Sequence, residues 1–267
     1  MNLPDDFVKI GVLISYYGLK KIPAIPYCDS LFLDSGAFSA FTKKENINLS
    51  QYVDFLLERK HQIGLYASLD DIGSYKKSIR NYYCMIREGL HPIPAFHIGE
   101  PFWVLDEYAS LTNYIALGGI AKQNSKTRRE WLDIVFSKYA DKNKIGFHGF
   151  GIQDRIIIQT YPWKSVDASS VAVMARFGGI CSPWGDIKIN KAVSPNNLLW
   201  VSNMNEDMLA EWVSTLSYPV DYKIACQQTS EGTKMRTMIG ILYYETLKSN
   251  EDSNFIVKKR GFGFLGE

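Results

Sequence analysis

The chain has 267 residues, 46% of them hydrophobic and 22% charged, which is the ordinary globular range and enough to close one sizeable core. Lysine and arginine total 30 against 28 for aspartate and glutamate, a formal charge of +2, so a global attraction to nucleic acid is excluded and any polyanion site must be a local patch. The opening Met1-Asn2-Leu3-Pro4-Asp5-Asp6 lacks the basic and apolar segments of a signal peptide, and no apolar run approaches the ~20 residues of a membrane span; a cytoplasmic protein with no membrane partner is expected.

In chain order, the first predicted elements are strands over Lys9 to Ser15 and Ser30 to Leu33. A helix follows over Leu49 to His61, where Tyr52, Val53, Leu56 and Leu57 fall near helical spacing and Asn48 or Ser50 can cap the start. Strand Gly64 to Leu69, helix Tyr75 to Glu88, strand His91 to His97 and helix Phe102 to Ser110 come next. The alternation continues with strand Tyr114 to Leu117, helix Lys126 to Tyr139, strand Lys144 to Phe147, helix Ile152 to Thr160, and strands Trp163 to Val166 and Phe177 to Ser182. Helices over Asp207 to Leu216 and Thr233 to Leu247 close the series, with a turn at Pro195-Asn196-Asn197.

Short apolar runs alternating with helix-like stretches are the pattern of βα units around a parallel sheet. The reading is a single α/β domain over 1–267, a (β/α)8 TIM-like barrel irregular at its last units, with its core at about 9–191 and a helical part at about 192–267. Four scattered cysteines, Cys28, Cys84, Cys181 and Cys226, form no C-x-x-C pair, and His61, His91, His97 and His148 form no i, i+4 pair. Neither a zinc site nor a disulfide framework is indicated, and no metal or cofactor is expected.

In such a fold the chemistry lies at the carboxyl ends of the strands, where the crossover loops face one cavity. The predicted strand exits carry Asp34, Asp70 with Asp71, His97, Gly118 with Gly119, His148 and Asp167. Asp34 and Asp167 stand out because each closes an apolar run beside small residues that let a ligand approach. Two such carboxylates point to paired acid and nucleophile work, against the plainer reading that each caps a following helix.

The segment Asp34-Ser35-Gly36-Ala37-Phe38-Ser39 resembles the Asp-Ser-Gly-Gly-Phe-Gln segment of tRNA-guanine transglycosylases, and Ala116-Leu117-Gly118-Gly119-Ile120-Ala121 resembles their Gly-Gly-Leu-Ala segment. With Phe147-His148-Gly149-Phe150-Gly151 and Ser165-Val166-Asp167-Ala168-Ser169 added, the combination is more similar to the short, phage-associated branch that places 7-deazaguanines in DNA. The resemblance spans roughly residues 9 to 191 by motif order. It departs from the tRNA enzymes in lacking closely spaced cysteines after Asn190, which removes their structural zinc module, and in ending the first motif with Phe38-Ser39.

The resemblance implies a base exchange on an intact strand, with DNA as the polymer, tRNA as the alternative and a free 7-deazaguanine such as preQ0 as second substrate. It assigns Asp167 as nucleophile, Asp34 as general acid/base, and Asp70 as acceptor for guanine's N1-H and 2-amino group. His97 falls where the tRNA enzymes use a glutamine toward the base, although a lone histidine at a strand end is as readily a structural residue, and the Gly118 and Gly119 amides approach the base edge. Ser35 and Phe38 complete the expected base site, with His148 a secondary candidate that either lines the cavity or is a core histidine. If the gene is a phage's, the location is the host cytoplasm. A partner protein and a non-catalytic nucleic-acid-binding barrel both stay open.

The residues themselves add candidate phosphate contacts at Lys122, Lys126, Arg128 and Arg129 after the fifth strand, Lys188 and Lys191 after the eighth, and Lys258-Lys259-Arg260. Each such charge run is more often a solvated face. Stacking partners for an extruded base are Tyr16, Tyr17, Phe38, Phe96 and Trp184 by strand-end position.

Overall fold

The computed structural model describes residues 11–19, 30–59, 61–140, 145–188, 206–247 and 254–258. In chain order these form β1 (Gly11–Ser15), α1 (Tyr16–Leu19), β2 (Ser30–Asp34), α2 (Ala37–Thr42), α3 (Leu49–Arg59), β3 (Leu65–Tyr66), α4 (Tyr75–Arg87), β4 (Ala95–His97), α5 (Phe102–Leu111), β5 (Tyr114–Gly118), α6 (Ser125–Val135) and β6 (Gly146–Gly149). Then come α7 (Arg155–Thr160), β7 (Ser165–Ala168), α8 (Ser170–Arg176), β8 (Gly179–Ser182), β9 (Gly185–Lys188), α9 (Glu206–Ser214), α10 (Tyr222–Ala225), α11 (Ser230–Glu245) and β10 (Asn254–Lys258). Among the described residues, no helix is long and apolar enough to cross a membrane.

The described residues divide into two compact units, one made of those within 11–168 together with 254–258, the other of those within 169–247. The division falls between Ala168 and Ser169, inside the span read from the sequence as core.

The larger unit is mixed α/β around an eight-stranded sheet in the order β3-β2-β1-β10-β7-β6-β5-β4, with every pairing parallel. A further parallel bridge, Ala67 to Ile93, links the ends of β3 and β4, the two outermost strands in that order. The sheet is curled, because the Phe32 ring on β2 lies 4.7 Å from the His148 ring on β6. Those strands are four places apart, which in a flat sheet is roughly 19 Å at the usual interstrand spacing.

Alternation along the strands explains the layering. Leu13, Phe32, Ala67, Ala95, Tyr114 and Ala116 pack together on one face. Ile14, Leu31 and Leu33 turn to the other and meet Tyr52, Val53 and Leu56 of α3. Both faces are thus covered, which is why these strands read as continuous apolar runs. Each fully buried large side chain adds roughly 1.5–3 kcal/mol of apolar burial.

Several predicted elements hold with shifted ends. Asn48 is the cap of α3, its side chain accepting the Gln51 N–H at 3.1 Å. Asp154 caps α7 and Thr229 caps α11. The predicted strand His91 to His97 shortens to β4 because Pro92 and Pro94 have no N–H for the ladder.

One expectation is corrected. The predicted eighth strand, Phe177 to Ser182, is not part of the parallel sheet: β8 pairs antiparallel with β9 across the two-residue turn Pro183-Trp184. A strand that turns back within two residues cannot lead into a crossover helix. The eighth strand of the sheet is instead β10, inserted between β1 and β7. The turn Pro195-Asn196-Asn197 lies outside the described residues.

The smaller unit packs Ile180 and Ile187 of its hairpin against Leu209, Val213, Ala225 and Ile239. Arg236, 1% exposed, donates to the carbonyls of Ala175, Ala225 and Gln227. A cation at the carboxyl ends of α8 and α10 adds a donor to their terminal carbonyls, that of Ala175 being shared with the Gly178 N–H, and complements their dipoles.

Candidate functional site

The parallel sheet gathers the residues singled out in the sequence. Asp34 ends β2, Asp70 follows β3, His97 ends β4, Gly118 ends β5, His148 lies in β6 and Asp167 in β7, all in the larger unit. Neither of the two paired aspartates is a helix N-cap: those positions belong to Gly36 before α2 and Ser169 before α8. The capping explanation is therefore removed for both. The exit from β2 also demands glycine at 36, where φ is +81° and a Cβ would lie 2.1 Å from Ser15 Oγ.

Asp167 is wholly buried. Its Oδ1 accepts the Gly151 N–H at 2.9 Å and lies 3.3 Å from His148 Nε2. His148 is equally buried, and its Nδ1 is 2.6 Å from Ser165 Oγ, which is itself 2.6 Å from the Tyr114 hydroxyl. Asp167 faces the sheet interior because Ser165 and Asp167, two residues apart, share one side of β7.

Asp34 faces the same interior. It stands two residues beyond Phe32, whose ring meets His148, the neighbour of Asp167. Asp34 is only partly buried. Burial first, and then the charges of Asp34 and Asp70, push the Tyr52 phenol well above its ordinary range, so both carboxylates act on that one buried ring. The Tyr52 hydroxyl donates to the Ala67 carbonyl at 2.8 Å.

The second cluster is ionic. Ser35 Oγ donates to Asp70 Oδ1 at 3.1 Å, while Asp70 Oδ2 lies 3.3 Å from His97 Nε2. His97 Nδ1 lies 3.5 Å from Glu100 Oε1, and the His97 backbone N–H donates to Glu100 Oε2 at 3.0 Å. Burial works against the imidazolium, but hydrogen bonds to Asp70 and Glu100 and their charges outweigh it and push His97 up to about 10. Both ring nitrogens are held by carboxylates, so in this state His97 orients Asp70 instead of presenting a donor to a base. Ser35, with no exposed surface, does the same.

A pH dependence follows from this cluster. A folded pKa above the unfolded value of about 6.5 stabilises the fold fully below that value and loses its contribution as pH rises through about 10. Relative to His97→Gln, the wild-type chain is expected to lose stability between those two pH values, read from denaturant midpoints. An unchanged difference between the variants across that window would remove the ionic assignment.

Gly118 makes room for this histidine: a Cβ there would fall 2.5 Å from His97 Cδ2 and 2.7 Å from Nε2. Gly118→Ala is expected to displace the ring from Asp70 and abolish the same pH-dependent increment, in the same midpoint measurement. Gly119 opens the single turn Ile120–Lys122 beside it.

At the rim, the Phe38 ring is 46% exposed, with Lys122 Nζ 4.3 Å from its centroid. Tyr17 carries Lys43 at 5.1 Å in the same manner. This is an exposed pairing of aromatic and cation suited to a base and its phosphate. Lys126 and Arg129 are exposed, with Lys126 3.8 Å from Glu130. Arg128 is engaged with Asp154 at 3.4 Å and Ser125 at 3.3 Å, which ties α6 to the start of α7.

Other candidates serve packing. Phe96 is buried and stacks on Trp131, and Tyr16 packs on Tyr52 and Phe55. Trp184 belongs to the smaller unit, where it meets Trp212 edge-on, and Lys188 lies in β9 of that unit. Lys191, Lys259 and Arg260 lie outside the described residues; Lys258 ends β10.

Sequence reasoning missed Glu100, Ser165, Tyr114 and the Gly151 amide. The His97-x-x-Glu100 spacing was a usable signal for the first. The others are brought to Asp167 only by strand register. Among the described residues, no group of three His, Cys, Asp or Glu side chains could hold a metal ion. No protein-family model matches the chain, and no curated protein matches it.

Proposed function

We propose that the parallel sheet is a (β/α)8 barrel and that the protein is a DNA-guanine transglycosylase, exchanging guanine for a 7-deazaguanine through a glycosyl-aspartate intermediate. The observation that carries the reading is that Asp34 and Asp167, on strands far apart in sequence, face one interior. Strand register supports both parts. Followed once around through the seven sheet pairings and the Ala67 to Ile93 bridge, the offsets return to the starting strand displaced by eight residues, which is the shear of this barrel type. Spread over the strands that is about one residue per step, and it sets Asp34 level with Ala168, next to Asp167.

In this reading the Asp167 carboxylate attacks C1′ of the target nucleotide, the C1′–N9 bond breaks, and Asp34 delivers a proton to the departing guanine. The incoming base then gives its N9 proton to Asp34, attacks C1′ and releases Asp167 from its ester. Two inversions restore the β configuration. Asp70, oriented by Ser35 and His97, accepts from the N1-H and 2-amino group that distinguish guanine from adenine. A base stacked in a duplex cannot reach such a pocket, so the target is flipped or single-stranded. Lys122 and Phe38 are placed to meet the strand at the rim.

A second reading, a nucleic-acid-binding barrel without chemistry, is favoured by one observation: Asp167 has no exposed surface. One assay separates the readings. The protein is incubated with DNA or tRNA and labelled guanine or preQ0, and the nucleosides are analysed by mass spectrometry. Label in DNA supports the proposal and label only in tRNA moves it to the tRNA branch. Abasic product without exchange makes it a hydrolase, and binding without any change leaves the idle barrel.

A further inference from the structure

Behind Asp167 a line of buried polar groups crosses the interior: Tyr114, Ser165 and His148, with 2.6 Å between the Tyr114 hydroxyl and Ser165 Oγ and 2.6 Å between Ser165 Oγ and His148 Nδ1. The hydrogen-bonded line stops at His148, whose Nε2 lies 3.3 Å from Asp167 Oδ1 as an electrostatic contact outside hydrogen-bond geometry. From this geometry we propose that Tyr114, Ser165 and His148 form a one-way hydrogen-bonded relay that holds His148 as the neutral Nε2–H tautomer beside the Asp167 carboxylate. The three are positioning residues, and their catalytic meaning rests on the transglycosylase reading of Asp167.

For a neutral ring, hydrogen counting sets the direction. Asp167 Oδ1 already accepts the Gly151 N–H at 2.9 Å. A bare lone pair on Nε2 would face that carboxylate oxygen with like charge, so Nε2 carries the hydrogen. In a neutral ring Nδ1 is then an acceptor, and the neighbour that can supply it is the Ser165 hydroxyl. Ser165 has one hydrogen, so its oxygen accepts from Tyr114. Burial pushes the Tyr114 phenol up to about 12, against a smaller lowering by Ser165, so the phenol keeps its hydrogen at neutral pH. Each donor points toward Asp167 and no hydrogen is left over.

A charged His148 would reverse the line: Nδ1 would donate to Ser165, Ser165 to Tyr114, and the phenol hydrogen would point out of the relay. The neutral direction also lets the O–H dipoles reinforce one another toward the carboxylate. With Oδ1 bonded to the Gly151 N–H and an Nε2–H of His148 3.3 Å away as an electrostatic contact, the carboxylate is biased toward one orientation. A nucleophile that must approach C1′ in line gains from such a bias.

The test is nitrogen NMR of the full chain labelled at its histidines, at neutral pH, with His148 assigned by its loss in His148→Gln. The expected wild-type signature is a neutral ring protonated at Nε2. Ser165→Ala is expected to turn it into a mixture of tautomers and to lower kcat for exchange about tenfold, the scale of losing an outer orienting partner, with KM unchanged. Tyr114→Phe, which removes one hydroxyl and keeps the ring, is expected to shift the same signals less; it serves if Ser165→Ala does not fold. A ring protonated at Nδ1 or at both nitrogens, or ring signals indifferent to both variants, would overturn the relay. A wild-type protein that exchanges no base would instead remove the transglycosylase reading, and the spectra would still decide the relay.

Discussion

Asp167→Asn is expected to lower base exchange by at least about a thousandfold, near 4 kcal/mol of transition-state stabilisation, and to abolish any covalent adduct between DNA and protein. Asparagine matches aspartate in shape and keeps an oxygen for the Gly151 N–H, the bond that Asp167 Oδ1 accepts at 2.9 Å. The variant therefore separates chemistry from folding. Alanine would leave His148 buried without its carboxylate, and a loss of activity there would have two explanations. The check is single-turnover exchange with labelled guanine, alongside mass measurement of the denatured complex. Exchange within tenfold of wild type in the folded asparagine variant would reject Asp167 as the nucleophile.

Asp34→Asn should slow exchange by about a hundred- to ten-thousandfold, the range of a lost general acid or base, while DNA binding stays near its wild-type level. Guanine is a poor leaving group as an anion, so a variant that cannot supply a proton suffers most with the natural base. A substrate whose base departs without needing one is expected to recover most of the rate. Asp34 ends β2 at a partly exposed position, and Phe32, on the same side of that strand, makes the contact with His148. Its substitution should disturb packing less than a change at Asp167. Equal defects on both substrates would argue against proton transfer and leave Asp34 an orienting role.

The two aspartates could be found in the sequence because strand exits leave a local trace: an apolar run, a short acidic side chain, then small residues. What a strand exit does not reveal is the neighbour across the sheet. Asp70 was read as a base acceptor, yet the partners its oxygens meet, Ser35 and His97, come from other strand ends. His97 looked equally able to face a base or the protein interior, and Glu100, three residues on, settles which in this state. Phe96 and Trp184 occupy strand-end positions in the sequence but pack on Trp131 and Trp212.

The misplaced eighth strand has a similar cause. Phe177 to Ser182 has the composition of a strand and comes at the expected beat, so periodicity could not distinguish it from β10, which follows a long helical stretch. Pro183-Trp184-Gly185 was the available clue, since a tight turn predicts a hairpin and not a crossover. Pairing order is a long-range property, and neither composition nor period reports it.

The place of β10 between β1 and β7 has a consequence for how the molecule is made. During synthesis the first seven strands of the sheet leave the ribosome with a gap between the earliest and the seventh, and residues 169–253 must emerge before the chain can supply the closing piece. Until then two strand edges stay open, templates for another nascent chain. Those intervening residues contain a unit with its own apolar centre around Ile180, Leu209 and Ile239, able to collapse while the wait lasts. Completion of the sheet is thus a late, non-local event, the kind that slows folding most.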